Sequence, residues 1–251
     1  MAAVQHPAGG PADAPRSSEA RLLERAAWAH AFPFILWIFL MKMLGDPSGW
    51  NYAVRTAVCL AVFLGLRPWR GYAPPRLVYA FPALAVGFAV FVLWVLPESG
   101  WTARHAPVAH EFYRRWLVGL WPPGRLPEPP TSLPYAPEVA GWSFALIRLA
   151  GSAFVIATIE EFFWRGFIYR WLQDRDWLRL DPGRFDARAF VLTALVFGLE
   201  HEQWFAGILA GAAYGWLYIR TRDIWAAVAA HGITNYLLGW YVLATGAYHF
   251  W

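Results

Sequence analysis

The sequence predicts an all-α fold, namely a polytopic transmembrane bundle of about seven to eight helices. Hydrophobic residues make up 58% of the 251-residue chain and charged residues only 15%. Several apolar runs approach the ~20 residues that a helix needs to cross a bilayer. The 17 tryptophans suit the aromatic belts found where transmembrane helices leave the hydrocarbon. A soluble helical protein with a large core is the alternative, and these observations together disfavour it.

The predicted elements follow one another along the chain in a simple order. Residues 1–26 are rich in Ala, Pro, Gly and charge, which predicts a disordered cytoplasmic tail. Seven apolar segments follow, at Ala27–Leu44, Tyr52–Leu66, Leu77–Leu96, Gly141–Leu172, Ala189–Trp204, Phe205–Ile219 and Ile224–Ala244. The first of them is interpreted as an uncleaved signal anchor. Residues 27–140 would form N-terminal transmembrane helices with an interfacial segment, in which Ala109–Leu120 is predicted to be a surface-lying amphipathic helix.

The distribution of positive charge predicts the orientation in the membrane. If the N-terminus is cytoplasmic, 14 Arg and Lys residues fall in cytoplasmic segments and 6 on the opposite side. The positive-inside rule therefore favours a cytoplasmic N-terminus. The net charge of +4 does not indicate a nucleic-acid partner, because the arginines lie between hydrophobic segments rather than along one face. The single cysteine, Cys59, excludes a disulfide framework and a multi-cysteine metal site.

One predicted helix carries charges that the bilayer penalises. The stretch IEEFFWRGFIYRWL places Glu160, Glu161 and Arg165 among large apolar side chains. Glu161 and Arg165 are four residues apart, so they can form an ion pair on one helix face. Glu160 is turned about 100° away from its neighbour and has no such partner. One carboxylate thus has a structural explanation and the other has none.

Two further helices carry polar groups at a matching depth. His201 lies in FGLEHEQ at the end of an apolar run, and His231 precedes Asn235 by four residues in AAHGITNYLLG. With a rise of ~1.5 Å per residue, Glu160 and His201 each lie roughly 20 Å from the predicted cytoplasmic ends of their helices, and His231 roughly 12 Å. These depths predict that the four groups converge at one level in the membrane.

In order and spacing, these residues resemble the three motifs of CPBP intramembrane proteases. That family contains the type II CAAX prenyl endopeptidases and a CAAX-protease-related branch in bacteria. The matching positions are Glu160-Glu161-x-x-x-Arg165, Phe197-x-x-x-His201 and His231-x-x-x-Asn235. The resemblance covers about Leu149–Gly239, and it implies that residues 141–251 form a catalytic transmembrane core.

The resemblance also implies an activity and a location. The expected protein is an intramembrane endopeptidase of the bacterial inner membrane. Its expected partners are the lipid bilayer and a membrane-associated peptide or protein substrate, either prenylated or anchored near its C-terminus. The substrate is expected to reach a polar cavity from the cytoplasmic side or laterally from the bilayer. The sequence does not specify the oligomeric state.

Peptide hydrolysis requires an activated water, a group that stabilises the oxyanion and a proton donor for the leaving amine. Glu160 suits the general base, and Asn235 can donate a hydrogen bond to the oxyanion. His201 and His231 can either polarise the water and the carbonyl or bind a metal. Glu160, His201 and His231 would form a plausible ligand set for a divalent cation, zinc by preference. No HExxH motif is present, and family members have been described both as metalloproteases and as glutamate-dependent enzymes, so both mechanisms stay open.

Other classes of function are weighed against this one. A non-enzymatic immunity or scaffold protein could keep the same fold, although such a relative would be expected to lose at least one of the four catalytic candidates. A transporter with a proton-relay glutamate would need a continuous polar path, whereas the charges here cluster at one level. A serine nucleophile is not indicated because no GxSxG motif is present.

Three glycines at four-residue spacing, Gly207, Gly211 and Gly215, form a stripe on one predicted helix. The stripe could leave room for a substrate helix. Close packing of two helices through a small-residue face is the favoured interpretation.

Overall fold

The computed structural model describes residues 18–45, 48–119 and 133–251, and over these ranges the chain is all-helical. The described residues form ten α-helices and five short 3₁₀ turns. The helices are α1 (Ser18–Met43), α2 (Gly49–Leu66), α3 (Ala80–Val95), α4 (Gly100–His105), α5 (Pro107–Trp116), α6 (Pro137–Ala140), α7 (Trp142–Gln173), α8 (Ala187–Leu199), α9 (Trp204–Thr221) and α10 (Ile224–Thr245). The predicted fold class is therefore confirmed.

Four helical stretches are long and apolar enough to cross a membrane. They are Ser18–Met43, Gly49–Gly71, Leu77–Glu98 and Trp142–Gln173. α8 is apolar but has only 13 residues, whereas α9 and α10 have 18 and 22. The outer surface carries large apolar side chains, among them Leu77 at 89% and Phe81 at 78% exposure. Such a surface suits contact with lipid, and the total of seven to eight spans stays a prediction.

The disordered tail predicted for residues 1–26 is wrong over its last nine residues, because α1 begins at Ser18. This segment is rich in Ala, Leu, Glu and Arg, which are strong helix formers. Glu19 lies in the first turn, where a negative charge is favourable, and it pairs with Arg179 at 2.6 Å. Residues 1–17 lie outside the described residues, so disorder there stays a prediction.

The amphipathic helix predicted at Ala109–Leu120 is present with shifted ends. α5 begins two residues earlier, at a proline in the first turn, and ends at Trp116. Proline is well tolerated there because the first-turn N–H groups have no partner within the helix. Leu120 lies outside the described residues. A position on the membrane surface stays a prediction.

The long helix α7 contains two π-helical segments, Gly151–Ile156 and Phe162–Ile168. One α-helical turn, Ala157–Glu161, separates them and carries both glutamates. A π-turn accommodates an extra residue, so it shifts the side chains that follow out of the regular helical register. The hydropathy pattern predicted the helix but not these wide turns.

The predicted span Ala189–Trp204 is wrong at its C-terminal end. α8 stops at Leu199, and residues 200–203 form a short connection to α9. His201 therefore lies on this connection rather than within a helix. The helix ends here because the four residues that follow Leu199 are polar. In the connection, their side chains can lie beside the other polar groups of the bundle.

The bundle has two ends that differ in the connections they hold. The N-terminal face is tied together by the ion pairs Glu19–Arg179 at 2.6 Å, Arg222–Asp181 at 3.5 Å and Arg76–Asp223 at 3.6 Å. The opposite face holds the α1–α2 connection at Gly45 and the C-terminal Trp251. α1 has 26 residues, or roughly 39 Å of helix, which separates these two faces.

Candidate functional site

Glu161 lies at the centre of a buried polar cluster. Its Oε1 accepts hydrogen bonds from Arg165 Nη1 at 3.0 Å and from His231 Nδ1 at 2.9 Å. The side chains of Glu161 and Arg165 are 0% and 1% exposed. The ion pair predicted from their four-residue spacing is confirmed. The bond to His231 joins helices 70 residues apart, and no sequence spacing indicated it.

The guanidinium of Arg165 also contacts the helix that carries the glycine stripe. Its Nη2 donates to the carbonyl oxygen of Gly211 at 2.8 Å, and its guanidinium lies 4.6 Å from the centre of the Phe197 ring. A Cβ added at Gly211 would meet Ala194 Cα at 3.2 Å and Phe197 Cδ1 at 3.1 Å. The stripe therefore packs α9 closely against α8, as the favoured interpretation held.

His231 is held in a fixed orientation. Its ring stacks on Tyr214 at 4.8 Å and 18°, and the Tyr214 hydroxyl donates to Thr234 Oγ1 at 2.7 Å. The Thr234 hydroxyl in turn bonds to the carbonyl of Gly87 at 2.9 Å, which links the ring to α3. Because a carboxylate accepts, His231 Nδ1 carries a proton towards Glu161, and in the neutral imidazole Nε2 keeps its lone pair.

Glu160 faces a cavity instead of the buried cluster. Its side chain is 13% exposed, and Oε2 lies 3.7 Å from His231 Nε2. Within the described part of the chain, no group donates a hydrogen bond to this carboxylate. Glu160 and Glu161 are adjacent in sequence, yet only Glu161 has its charge paired.

His201 approaches the same carboxylate from the α8–α9 connection. Its Nδ1 donates to the carbonyl oxygen of Phe197 at 2.8 Å, so in the neutral imidazole its Nε2 also keeps a lone pair. Glu160, Glu200 and His201 each place one oxygen or nitrogen within 4.8 Å of the others. Trp164 Nε1 donates to Glu200 Oε1 at 3.1 Å. Glu200 was not predicted, although the acidic flanks of His201 in FGLEHEQ were the available signal.

The side chains of this trio fit a divalent cation. Two carboxylates and an imidazole with a free Nε2 are ligands that zinc accepts, and the Nδ1–carbonyl bond of His201 is the usual support of a metal-binding histidine. The trio differs from the predicted ligand set in one member, because Glu200 takes the place of His231. His231 lies next to the trio through its 3.7 Å approach to Glu160.

Asn235 lies one turn beyond His231 on α10. Its Nδ2 donates to the carbonyl oxygen of Ser152 at 3.0 Å, which lies in the first π-helical segment of α7. An amide nitrogen carries two hydrogens, so one N–H remains for a second acceptor. The carbonyl oxygen of Ser152 thus fixes the Asn235 side chain, which keeps one N–H that can donate to a bound group.

One cavity of about 430 Å³ joins these groups. Glu160, His201, His231 and Asn235 all line it, as the matching depths predicted. The lining continues to Gly45 and Trp251, at the face opposite the N-terminus. Two predictions therefore conflict. If the N-terminus is cytoplasmic, the cavity reaches the non-cytoplasmic face, and a substrate could not enter it there from the cytoplasm.

A comparison with protein families agrees with these motifs. Residues 142–237 match the family model described as type II CAAX prenyl endopeptidase Rce1-like. The match runs from the start of α7 into α10, and it contains Glu160, Glu161, Arg165, His201, His231 and Asn235. No curated protein and no solved structure matches the chain. Residues 142–237, which are 96 of the 251 residues, are therefore similar to the Rce1-like, type II CAAX prenyl endopeptidase family.

Proposed function

We propose that the chain is an intramembrane endopeptidase that hydrolyses a peptide bond of a membrane-associated substrate. One observation carries this proposal. The unpaired carboxylate of Glu160 shares a cavity with two imidazoles that keep Nε2 lone pairs and with the spare N–H of Asn235. A buried carboxylate without a counter-charge destabilises the fold, so a chemical role accounts for its presence.

The hydrolysis follows from these positions. A water molecule held by Glu160 attacks the peptide carbonyl carbon while Glu160 takes its proton. The carbonyl oxygen gains negative charge, which the spare N–H of Asn235 stabilises. As the C–N bond breaks, Glu160 returns the proton to the leaving amine. The products are a carboxylic acid and an amine, and Glu160 ends the reaction in the protonation state in which it began.

Glu161 and Arg165 act by positioning. The Glu161 carboxylate fixes which nitrogen of His231 carries the proton and which faces Glu160. Arg165 balances the charge of Glu161 and anchors it to α9 through Gly211. The Nε2 of His231 is thereby held beside the proton that moves during hydrolysis.

Glu160, Glu200 and His201 would hold a divalent cation, which when bound would polarise the substrate carbonyl as a Lewis acid. Metal content of the purified protein tests this assignment. We expect one zinc per chain and a loss of most of it after Glu200→Gln, with Glu202→Gln as the neighbouring control. Peptide hydrolysis by a metal-free preparation would exclude a required cation.

We also propose an orientation with the N-terminus in the cytoplasm of a bacterial cell. In a Cys59→Ser background, Arg70→Cys and Leu180→Cys should react with an impermeant thiol reagent only from the cytoplasmic side. Arg104→Cys should react from the outside. The reverse labelling pattern would invert the orientation and would place the cavity mouth towards the cytoplasm.

The endopeptidase activity can be tested without knowing the substrate. Membranes that contain the unmodified chain, Glu160→Gln or the control Glu111→Gln are compared by proteomics. We expect cleaved forms of one or more membrane-anchored proteins to disappear only with Glu160→Gln. A scaffold or immunity protein would give the same peptides in all three membranes, and that result would contradict the proposal.

A further inference from the structure

Two arginines line the same cavity at its end towards the opposite face. Arg55 of α2 is only 8% exposed, and Arg148 of α7 is partly buried. Within the described ranges, neither guanidinium makes a hydrogen bond or lies within 4.0 Å of a carboxylate. The Nε of each is buried without a hydrogen-bond partner, and so is the hydroxyl of Tyr52 between them.

Aromatic rings account for only part of this arrangement. The Arg55 guanidinium lies 4.2 Å from the centre of the Trp37 ring, and that of Arg148 lies 4.3 Å from the Tyr135 ring. Stacking of this kind stabilises a positive charge by about 0.5–2 kcal/mol. It occupies the faces of the guanidinium plane, however, whereas the N–H donors lie along its edges. The edges remain available to an acceptor.

The two positive charges also lie near each other. Both guanidiniums contact the Tyr52 ring, at 5.1 Å for Arg55 and 4.7 Å for Arg148. They are therefore at most about 10 Å apart, and like charges at that distance in an apolar setting repel each other. Unpaired intramembrane charges generally mark a binding site. An anion between them would remove the repulsion and would accept their free N–H groups.

We infer that Arg55, Arg148 and the Tyr52 hydroxyl bind a carboxylate of the peptide substrate, either an acidic side chain or a C-terminal carboxylate. This inference rests on the proposed endopeptidase function. A peptide carboxylate is favoured over a lipid headgroup because one continuous cavity joins these side chains to Glu160.

The spacing along α7 locates this carboxylate relative to the scissile bond. Arg148 precedes Glu160 by twelve residues, or roughly 18 Å of helix. An extended peptide covers ~3.3 Å per residue. The carboxylate should therefore lie roughly five residues from the bond that is cut, on the part of the substrate nearer the opposite face.

The test measures binding to the Glu160→Gln chain in phosphatidylcholine nanodiscs, where turnover cannot obscure it. The probes are a fluorescent apolar decapeptide with a free C-terminal carboxylate and the same peptide as its C-terminal amide. We expect the carboxylate form to bind about tenfold more tightly, as charged hydrogen bonds allow. The preference should vanish with Arg55→Gln and Arg148→Gln together. It should persist in Arg104→Gln, which removes an exposed arginine on the same face.

Three outcomes would overturn the inference. They are equal binding of the two peptides, a preference that survives the double substitution, and an arginine-dependent loss of the preference in phosphatidylglycerol nanodiscs, which would assign the site to a lipid headgroup. If the double variant does not fold, Arg148→Gln alone should reduce the preference about threefold.

Hydrolysis of the same decapeptides by the chain with Glu160 intact is measured separately. A carboxylate preference without hydrolysis of any peptide would contradict the proposed function while leaving the anion site in place. Hydrolysis without a carboxylate preference would support the proposed function and contradict the anion site. The two proposals therefore fail in different experiments.

Discussion

Two layers of the polar cluster lie side by side and differ in how their charges are paired. The buried layer consists of Glu161 and Arg165, whose ion pair is closed to solvent and also holds His231 Nδ1. The cavity layer consists of Glu160 and His201, which line the cavity, and the adjoining Glu200, and each of the three places one oxygen or nitrogen within 4.8 Å of the others. The comparison separates two uses of charge, because pairing stabilises the helix arrangement whereas an unpaired group can exchange a proton or bind a ligand.

The largest expected effect concerns the junction between the layers. His231→Ala should lower peptide hydrolysis by about 10²–10⁴-fold, the range of impaired proton transfer, because Glu160 loses the imidazole held beside the proton it moves. Combining it with Glu160→Ala should add no more than about threefold, because residues that act as one unit show non-additive losses. Steady-state rates of the single and double variants give the measurement. Multiplicative losses would mean that the two layers work independently.

Glu161→Gln should destabilise the protein strongly. Removing one partner of a buried ion pair costs about 3–5 kcal/mol, because Arg165 is left as an uncompensated charge. The matched control is Glu160→Gln, which removes an unpaired buried carboxylate and should therefore raise the free energy of unfolding or leave it unchanged. Thermal unfolding in detergent compares the two. Equal losses of stability would erase the distinction between the layers.

The packing behind the buried layer should tolerate little added volume. Gly211→Ala should cost about 1–3 kcal/mol of stability, because the new methyl group would press on Ala194 and Phe197 at 3.1–3.3 Å. Gly65→Ala on α2 is the control, since nothing lies within 4 Å of its added Cβ. That substitution should stabilise the helix by about 0.5–1 kcal/mol. A harmless Gly211→Ala would show that α8 and α9 pack less closely than described.

The smallest expected effect concerns the support of His231. Tyr214→Phe removes the hydrogen bond to Thr234 but keeps the stacked ring, so it should cost about 0.5–1.5 kcal/mol. Tyr236→Phe is the control, because Tyr236 is 40% exposed. Its effect on stability should be within about 0.5 kcal/mol of zero. A larger loss of activity than of stability in Tyr214→Phe would show that ring orientation limits the reaction.

Local patterns explain what could be predicted at this site. Glu161 and Arg165 pair because four residues bring them to one helix face, and that geometry belongs to the helix itself. Glu160, His201, His231 and Asn235 were recognised because each is a polar group in an apolar run. Glu200 was given no role because the sequence placed it within a helix. The helix ends at Leu199, and where it ends depends on the tertiary contacts of the polar side chains that follow.

The sequence by itself determined the all-helical bundle, the apolar character of its surface and the set of catalytic candidates, since hydropathy and helical spacing are properties of neighbouring residues. Only the tertiary structure decided that Glu161 holds His231, that the π-helical segments flank the glutamates and that the cavity runs to the opposite face. It also brought Arg55 and Arg148 to one tyrosine ring. Each of these features depends on contacts between helices far apart in the chain, which packing fixes and local sequence does not encode.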